Sequence, residues 1–292
     1  MEDTPPPQND TEDDALALSA RALELFWRGA GIEASISDAA VATGAPRPSP
    51  ARIAPKANRP SAPGQSDVPD LAEQSFQLVK KRTNDPLAAA KSDAANADSL
   101  DALAAAIRNF EGMPLKSTAT NMVFSDGRPE ADIMVIGEAP GADEDRAGKP
   151  FVGVSGQLLD KMFGAIGLSR TANLYISNIL NWRPPGNRTP NETEIALSRP
   201  FIDRHIDLVE PKALVLVGGV SAKTLLDTTK GVTRLAGGEH AVSVGGRSIP
   251  AFVLLHPAYL LRRPAEKAKA WRHLKALETR LDGLGISRSA HV

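Results

Sequence analysis

Residues 131–153 read ADIMVIGEAPGADEDRAGKPFVG, an apolar run that changes abruptly into glycine, proline and acids. A continuous apolar run bounded by turn residues reads as a strand buried on both faces, since a half-exposed strand would alternate. Three further runs repeat the pattern: LYISNIL (174–180), ALVLVGG (213–219) and IPAFVLLHP (249–257). Helix-like stretches lie between and after them, near 155–166, 192–209, 220–227 and 264–281. Such alternation predicts an α/β fold, a three-layer sandwich whose central, mainly parallel four-stranded sheet is flanked by helices. Ligands of sheets of this kind bind beyond the carboxyl ends of the strands. The segments of interest are therefore GEAPG (137–141), Asn178 with NWRPPGNR (181–188), GG (218–219) and HPAYLLRRP (256–264).

Upstream of this region the pattern differs. Residues 1–13 are acidic and proline-rich and read as disordered, and DALALSARALELFWRGA (14–30) has the spacing of one amphipathic helix. Residues 42–70 are dense in Pro, Ala and Ser and read as a linker, because they bury too little apolar surface to offset their ordering entropy. Residues 71–109 are alanine-rich, with the best helix at 99–110. The expected organisation is an extension over 1–100, a folded domain over 101–282 and a flexible tail over 283–292.

The net charge of −1, from 34 basic and 35 acidic residues, does not by itself point to nucleic acid. It conceals an asymmetry: residues 1–75 carry six basic and twelve acidic side chains, residues 111–282 carry 22 and 19. The chain has no cysteine, which excludes disulfides, thiolate zinc sites, a catalytic thiol and any all-cysteine iron–sulfur cluster. No run approaches the roughly 20 apolar residues of a membrane span, and MEDTPPPQNDTEDD lacks the basic start and apolar core of a signal peptide. A soluble cytoplasmic protein without membrane partners is expected.

The strand-end segments carry the chemistry. GEAPGADEDRAGKPFVG (137–153) fails as a phosphate loop, because Gly141 to Gly148 is two residues too long and Pro150 occupies the Ser/Thr position. VGGVSAKT (217–224) fails as well, with Val217 and Ala222 where glycines should stand. Nucleotide hydrolysis is thus poorly supported. Four acids, Glu138, Asp143, Glu144 and Asp145, crowd the first loop, where a carboxylate can orient or deprotonate a water. Phe151 reads either as core or as a flat surface for a flipped base. Asn178 is costly within a strand unless paired, and its amide offers the donor and acceptor that match the edge of uracil. His256 ends the last strand and is followed by Arg262, Arg263, Lys267, Lys269, Arg272 and Lys275, with Tyr259, Leu260 and Leu261 before them. That run reads as a solvated helix face or as a wedge with phosphate contacts. Arg183 and Arg188 stand in a proline-rich loop, as phosphate ligands or as ordinary surface residues.

Taken in order, VFSDGRPEADIMVIGEAPGADEDRAGKPFVG, YISNILNWRPPGNRTP and HPAYLLRRP resemble the family-four uracil-DNA glycosylases, over roughly residues 103–281. The resemblance implies an enzyme that acts on uracil-containing DNA in base-excision repair, with no nucleotide cofactor; for this chain a monomer without any cofactor is expected. It implies that Phe151 stacks on the flipped uracil, Asn178 reads its edge and His256 bonds its O2. Glu138 helps to hold the attacking water, with Gly137 and Ala139 beside the base and Glu144 and Asp145 as possible helpers. Ala139 stands where the best-known branch of the superfamily has its water-activating Asp. Arg183, Arg188, Leu260, Leu261, Arg262, Arg263 and Lys267 are expected at the DNA. Family members also carry four cysteines that hold a [4Fe–4S] cluster, and the matching positions here are Phe110, Met113, Trp182 and Ser198. Bulky side chains filling that volume are the expected substitute. A binding protein that kept the fold and lost the activity is the alternative expectation.

Overall fold

The computed structural model describes residues 85–288. The helix expected over 14–30, the disordered start and the linker over 42–70 lie outside them. Within them the apolar runs become strands: β2 (Ile133–Gly137), β3 (Leu174–Asn178), β4 (Ala213–Val217) and β6 (Arg247–Leu254). They form the parallel centre of the sheet, β3–β2–β4–β6. Two antiparallel edge strands extend it to six, in place of the expected four: β1 (Asp126–Gly127) beside β3 and β5 (Glu239–Val244) beside β6. The β5–β6 hairpin turns at Gly245 and Gly246, both at positive φ (58° and 75°), the geometry that two-residue hairpins favour.

The period of two along each strand divides the core. Ile133 and Val135 join Leu174, Ile176, Val215 and Leu254 on one face, while Met134 and Ile136 join Tyr175, Leu214, Leu216 and Val253 on the other. Each such buried side chain contributes about 1.5–3 kcal/mol relative to exposure. The first face is covered by α4 (Val154–Gly164), α8 (Pro257–Arg262) and α9 (Lys267–Gly283). The second is covered by α1 (Pro86–Ala95), α2 (Leu100–Asn109), α5 (Glu192–Val209) and α6 (Gly219–Leu225). Short helices α3 (Ala142–Ala147) and α7 (Val232–Leu235) fill connections.

The folded part reaches upstream of residue 101. Helix α1, capped by Asp85 through its bond from the Leu87 amide (2.9 Å), buries Ala90 and Ala94 in the core cluster that α5 also joins. Small residues allow that close approach. Helix α2 starts at the Ser99 cap and ends at Phe110, as the spacing predicts. Helix α5 starts with a capping box: Asn191 Oδ1 accepts from the Glu194 amide (2.8 Å), and Glu194 returns a bond to the Asn191 amide (2.9 Å).

On α5, His205 is buried, stacks on Phe124 (centroids 4.4 Å apart, planes 8°) and shares a hydrogen bond with the Tyr175 hydroxyl (2.9 Å). Burial pushes its pKa down to about 3 from the ordinary 6.5. The unfolded chain therefore takes up this proton first as pH falls. Its contribution to stability is complete above pH 6.5 and is lost as pH falls toward about 3. Urea unfolding between pH 7 and 5 should show stability decreasing with acid. Replacing both partners, Tyr175→Phe with His205→Phe, should remove about one proton from that dependence. An unchanged slope in the double variant would sink this assignment.

Candidate active site

At the carboxyl edge of the sheet lies a cavity of about 410 Å³, within the range of small-ligand sites. Glu138 and Ala139 after β2, Phe151 before α4, Asn178 at the end of β3, His256 after β6, and Arg188 and Arg262 all line it. Ser155, Asn187 and Thr189 line it as well, polar residues that sequence reasoning did not single out.

The β2–β3 register pairs Gly137 with Asn178. A Cβ at Gly137 would lie 2.3 Å from Asn178 Oδ1 and 2.5 Å from Phe151 Cζ, so the amide and the ring both rest on the bare strand end. Asn178 is 2 % exposed, and among the described residues no group bonds its amide. A buried amide without a protein partner, lining a cavity, is available to a ligand. Phe151, 6 % exposed, faces His256 with ring centroids 5.8 Å apart and planes at 30°. Its backbone is left-handed, at φ 54°.

His256 caps α8. Its Nδ1 accepts the Ala258 amide proton (3.1 Å), which leaves the ring proton on Nε2. Burial, with Arg262 nearby, pushes its pKa down to about 4, so the ring is neutral near pH 7. A neutral imidazole with Nε2–H is a hydrogen-bond donor.

The acids divide. Glu144 Oε1 accepts the amides of Val152 (3.0 Å) and Gly153 (2.8 Å), and Oε2 that of Gly141 (3.1 Å). Asp145 is buried and accepts the amides of Thr120 (2.8 Å) and Asn121 (3.1 Å). The expectation that Asp145 helps to position the water is corrected here: it does not line the cavity, because it ties the loop ahead of β1 to α3. Glu138 has no side-chain partner among the described residues, and burial raises its pKa above the ordinary carboxylate value.

Two expected DNA contacts are also corrected. His256 and Pro257 start helix α8, whose turn buries Leu260 completely in the core. Lys267 lies on the face of α9 that carries Ala270, Leu274, Leu277 and Leu281, and is 7 % exposed. Neither is displayed to a nucleic acid. The exposed Arg262 lines the cavity, and its neighbours in sequence, Leu261 (36 % exposed) and Arg263, are exposed as well. Arg183 bonds Asn187 Oδ1 (2.7 Å), and Arg188 is clamped to both oxygens of Glu194 (2.9 and 2.6 Å).

Away from the cavity, Phe110, Met113 and Trp182 are buried in one apolar cluster, with Ser198 buried on α5. Phe110 meets Phe201 edge-on at 5.3 Å, and its ring covers Gly112, where a Cβ would lie 2.4 Å away. These four positions offer one hydroxyl and no thiolate. They do not fit an iron–sulfur cluster, and the volume is packed with side chains.

Residues 124–275 match the family described as the uracil DNA glycosylase superfamily. Among the relatives, a type-4 uracil-DNA glycosylase of Pyrobaculum aerophilum is 33% identical over 172 residues, covering 58% of this chain and 87% of that protein. The type-4 uracil-DNA glycosylase of Sulfurisphaera tokodaii is 37% identical over 57% of this chain and 78% of its own length. The one from Archaeoglobus fulgidus is 35% identical, over 57% and 85%. With the parallel sheet, the strand-edge cavity and these matches together, the chain belongs to the uracil-DNA glycosylase superfamily, among relatives of type 4.

Proposed function

We propose that this pocket hydrolyses the N-glycosidic bond of uracil in DNA, releasing the free base and leaving an abasic site for base-excision repair. The observation that carries the reading is one cavity joining an aromatic ring (Phe151), a neutral Nε2–H imidazole (His256), and an amide (Asn178) and a carboxyl (Glu138) that have no side-chain partner among the described residues. Phe151 stacks on the extruded base, and Asn178 reads the donor–acceptor edge that distinguishes uracil from cytosine. As the bond from sugar C1′ to base N1 breaks, negative charge grows on the uracil and positive charge on the sugar. His256 Nε2–H donates to the uracil oxygen and stabilises that charge without giving up its proton. Ionised Glu138 orients the water, which adds to C1′ while the carboxylate accepts its proton. Arg262 and Arg263 meet phosphates, and Leu261 fills the space the base vacates.

No step passes through iron and sulfur, since the four matching positions do not fit a cluster. The purified chain should contain neither stoichiometric iron nor sulfide, and a chelator should leave its activity intact. Stoichiometric iron would overturn the packing account.

A gel assay with uracil-containing oligonucleotide tests the function directly. Wild type should give alkali-sensitive product, and His256→Ala should slow it by about 10²–10³-fold, as loss of a charge-stabilising donor does. Asn178→Ala should lose rate and discriminate less against cytosine. Equal cleavage of uracil DNA by Asn178→Ala would refute the pocket assignment. A chain that binds the DNA without product would favour the inactive binder.

The rate should also fall in acid, because protonated Glu138 cannot accept a proton. That limb should sit above the ordinary carboxylate range, since burial raises this carboxyl. In Glu138→Gln the rate should be low and the limb absent. Retention of the limb there would assign it to another group.

A further inference from the structure

Phe151 sits in the left-handed region (φ 54°), which a residue with a side chain adopts rarely, so something must hold it. Two opposite charges do. Arg170, in the connection between α4 and β3, donates from Nη1 to the Pro150 carbonyl (3.1 Å) and from Nη2 to the Phe151 carbonyl (2.8 Å). The next two peptide N–H groups, of Val152 and Gly153, donate to Glu144 Oε1 at 3.0 and 2.8 Å. A cation thus holds two successive carbonyls, and an anion the two amides that follow. Gly156 completes the fit, since a Cβ there would stand 1.9 Å from the Phe151 carbonyl oxygen.

The cation is itself fixed. Arg170 is only 17% exposed at its side chain, and it bonds Asp126 Oδ2 of β1 (2.8 Å) and Asp160 Oδ1 of α4 (2.8 Å from Nη2). Strand β1, helix α4 and the connection that carries Arg170 therefore converge on the one turn that carries the stacking ring.

We propose that Arg170 and Glu144 are positioning residues which hold the Phe151 backbone in its left-handed state and so set the ring against Gly137 and Asn178. This rests on the reading of Phe151 as the platform for the base. Without the guanidinium, the turn loses its carbonyl partners and relaxes, and the ring leaves the strand end. Glu144 thereby holds the turn from the amide side, and the water is left to Glu138.

The test compares wild type with Arg170→Gln, Arg170→Lys, Phe151→Ala and the double variant Phe151→Ala/Arg170→Gln. Single-turnover excision should slow about tenfold in Arg170→Gln, as misplacement of a positioned group does. Affinity for abasic-site DNA, which has no base to stack, should stay within about twofold, the scatter of independent sites. Arg170→Lys should recover part of the rate. In the Phe151→Ala background, Arg170→Gln should add less than about twofold, because two residues acting through one contact are not additive. A wild-type rate in Arg170→Gln, equal loss of abasic-DNA binding, or full multiplication of the two losses would overturn the proposal. If Arg170→Gln does not fold, Asp126→Asn, which lies outside the cavity, weakens the same grip and is read identically. A second readout is independent of catalysis: para-fluorophenylalanine placed at position 151 alone. Its fluorine resonance should move in Arg170→Gln and not in Glu130→Gln, which removes an exposed ion pair elsewhere. A wild-type chain that excises no uracil refutes the functional reading, while an unmoved resonance refutes this one.

Discussion

The pocket depends on a contact that tolerates nothing larger than hydrogen at residue 137. The amide of Asn178 and the ring of Phe151 converge on that Cα, where a Cβ would meet both at 2.3 and 2.5 Å. The parallel register places the amide there, and the left-handed turn brings the ring. Gly156 lets the same turn lie on α4, and Gly218, at φ 97°, leaves room for His256, whose Cδ2 would stand 3.2 Å from an added Cβ. Each glycine thus gives a side chain of the site space that another residue would fill. The arrangement is rigid because it is crowded, and that suits a platform on which a base must lie in one orientation.

Charge follows the same economy. Four acids crowd the loop after β2, yet three are occupied: Glu144 and Asp145 by backbone amides, Asp143 by Arg146 at the surface (3.1 Å). Of the four, Glu138 alone has no side-chain partner among the described residues, and burial raises its pKa, which suits a carboxylate that accepts a proton in a reaction. The histidines divide in a similar way. His205 is neutral because it is buried against Phe124 and Tyr175, a role in the core. His256 is neutral for the same reason, but it lines the cavity, and its Nδ1 is fixed by the Ala258 amide. Desolvation is common to both, and only access to the cavity separates structure from chemistry.

The central strands were legible because a parallel strand covered on both faces must be continuously apolar. The edges were not: β1 is two residues long, and β5 alternates exposed and buried positions in a segment without a strong apolar run. The strand ends led to Glu138, Phe151, Asn178 and His256, since each stands where a parallel sheet opens. Leu260 and Lys267 were misread for one reason. Both lie on helices that follow β6, Leu260 on α8 and Lys267 on α9, and helical spacing turns every third or fourth residue inward. Arg170 was invisible, because an arginine ahead of a strand reads as solvated. Its partners Asp126, Phe151 and Asp160 lie 44, 19 and 10 residues away, and only folding brings them together.

The proline-rich loop after β3 shows how the fold manages without thiolates. At its start, Trp182 is buried with Phe110 and Met113, and Asn181 exchanges bonds with Val123 in both directions (2.9 and 3.0 Å). At its end, Glu194 holds Arg188 in a fork and caps α5 with the same carboxylate. The Arg188–Glu194 fork exploits a nearly buried carboxylate, where a charge-assisted bond is worth more than at the surface. Apolar packing and one ion pair therefore fix both ends of a loop that borders the base. Metal–thiolate bonds respond to oxidants and chelators, whereas apolar burial does not, and weakens instead on cooling. With no cysteine in the chain, oxidation has no thiol through which to loosen this loop, and the site's integrity rests on the same hydrophobic burial as the sheet beneath it.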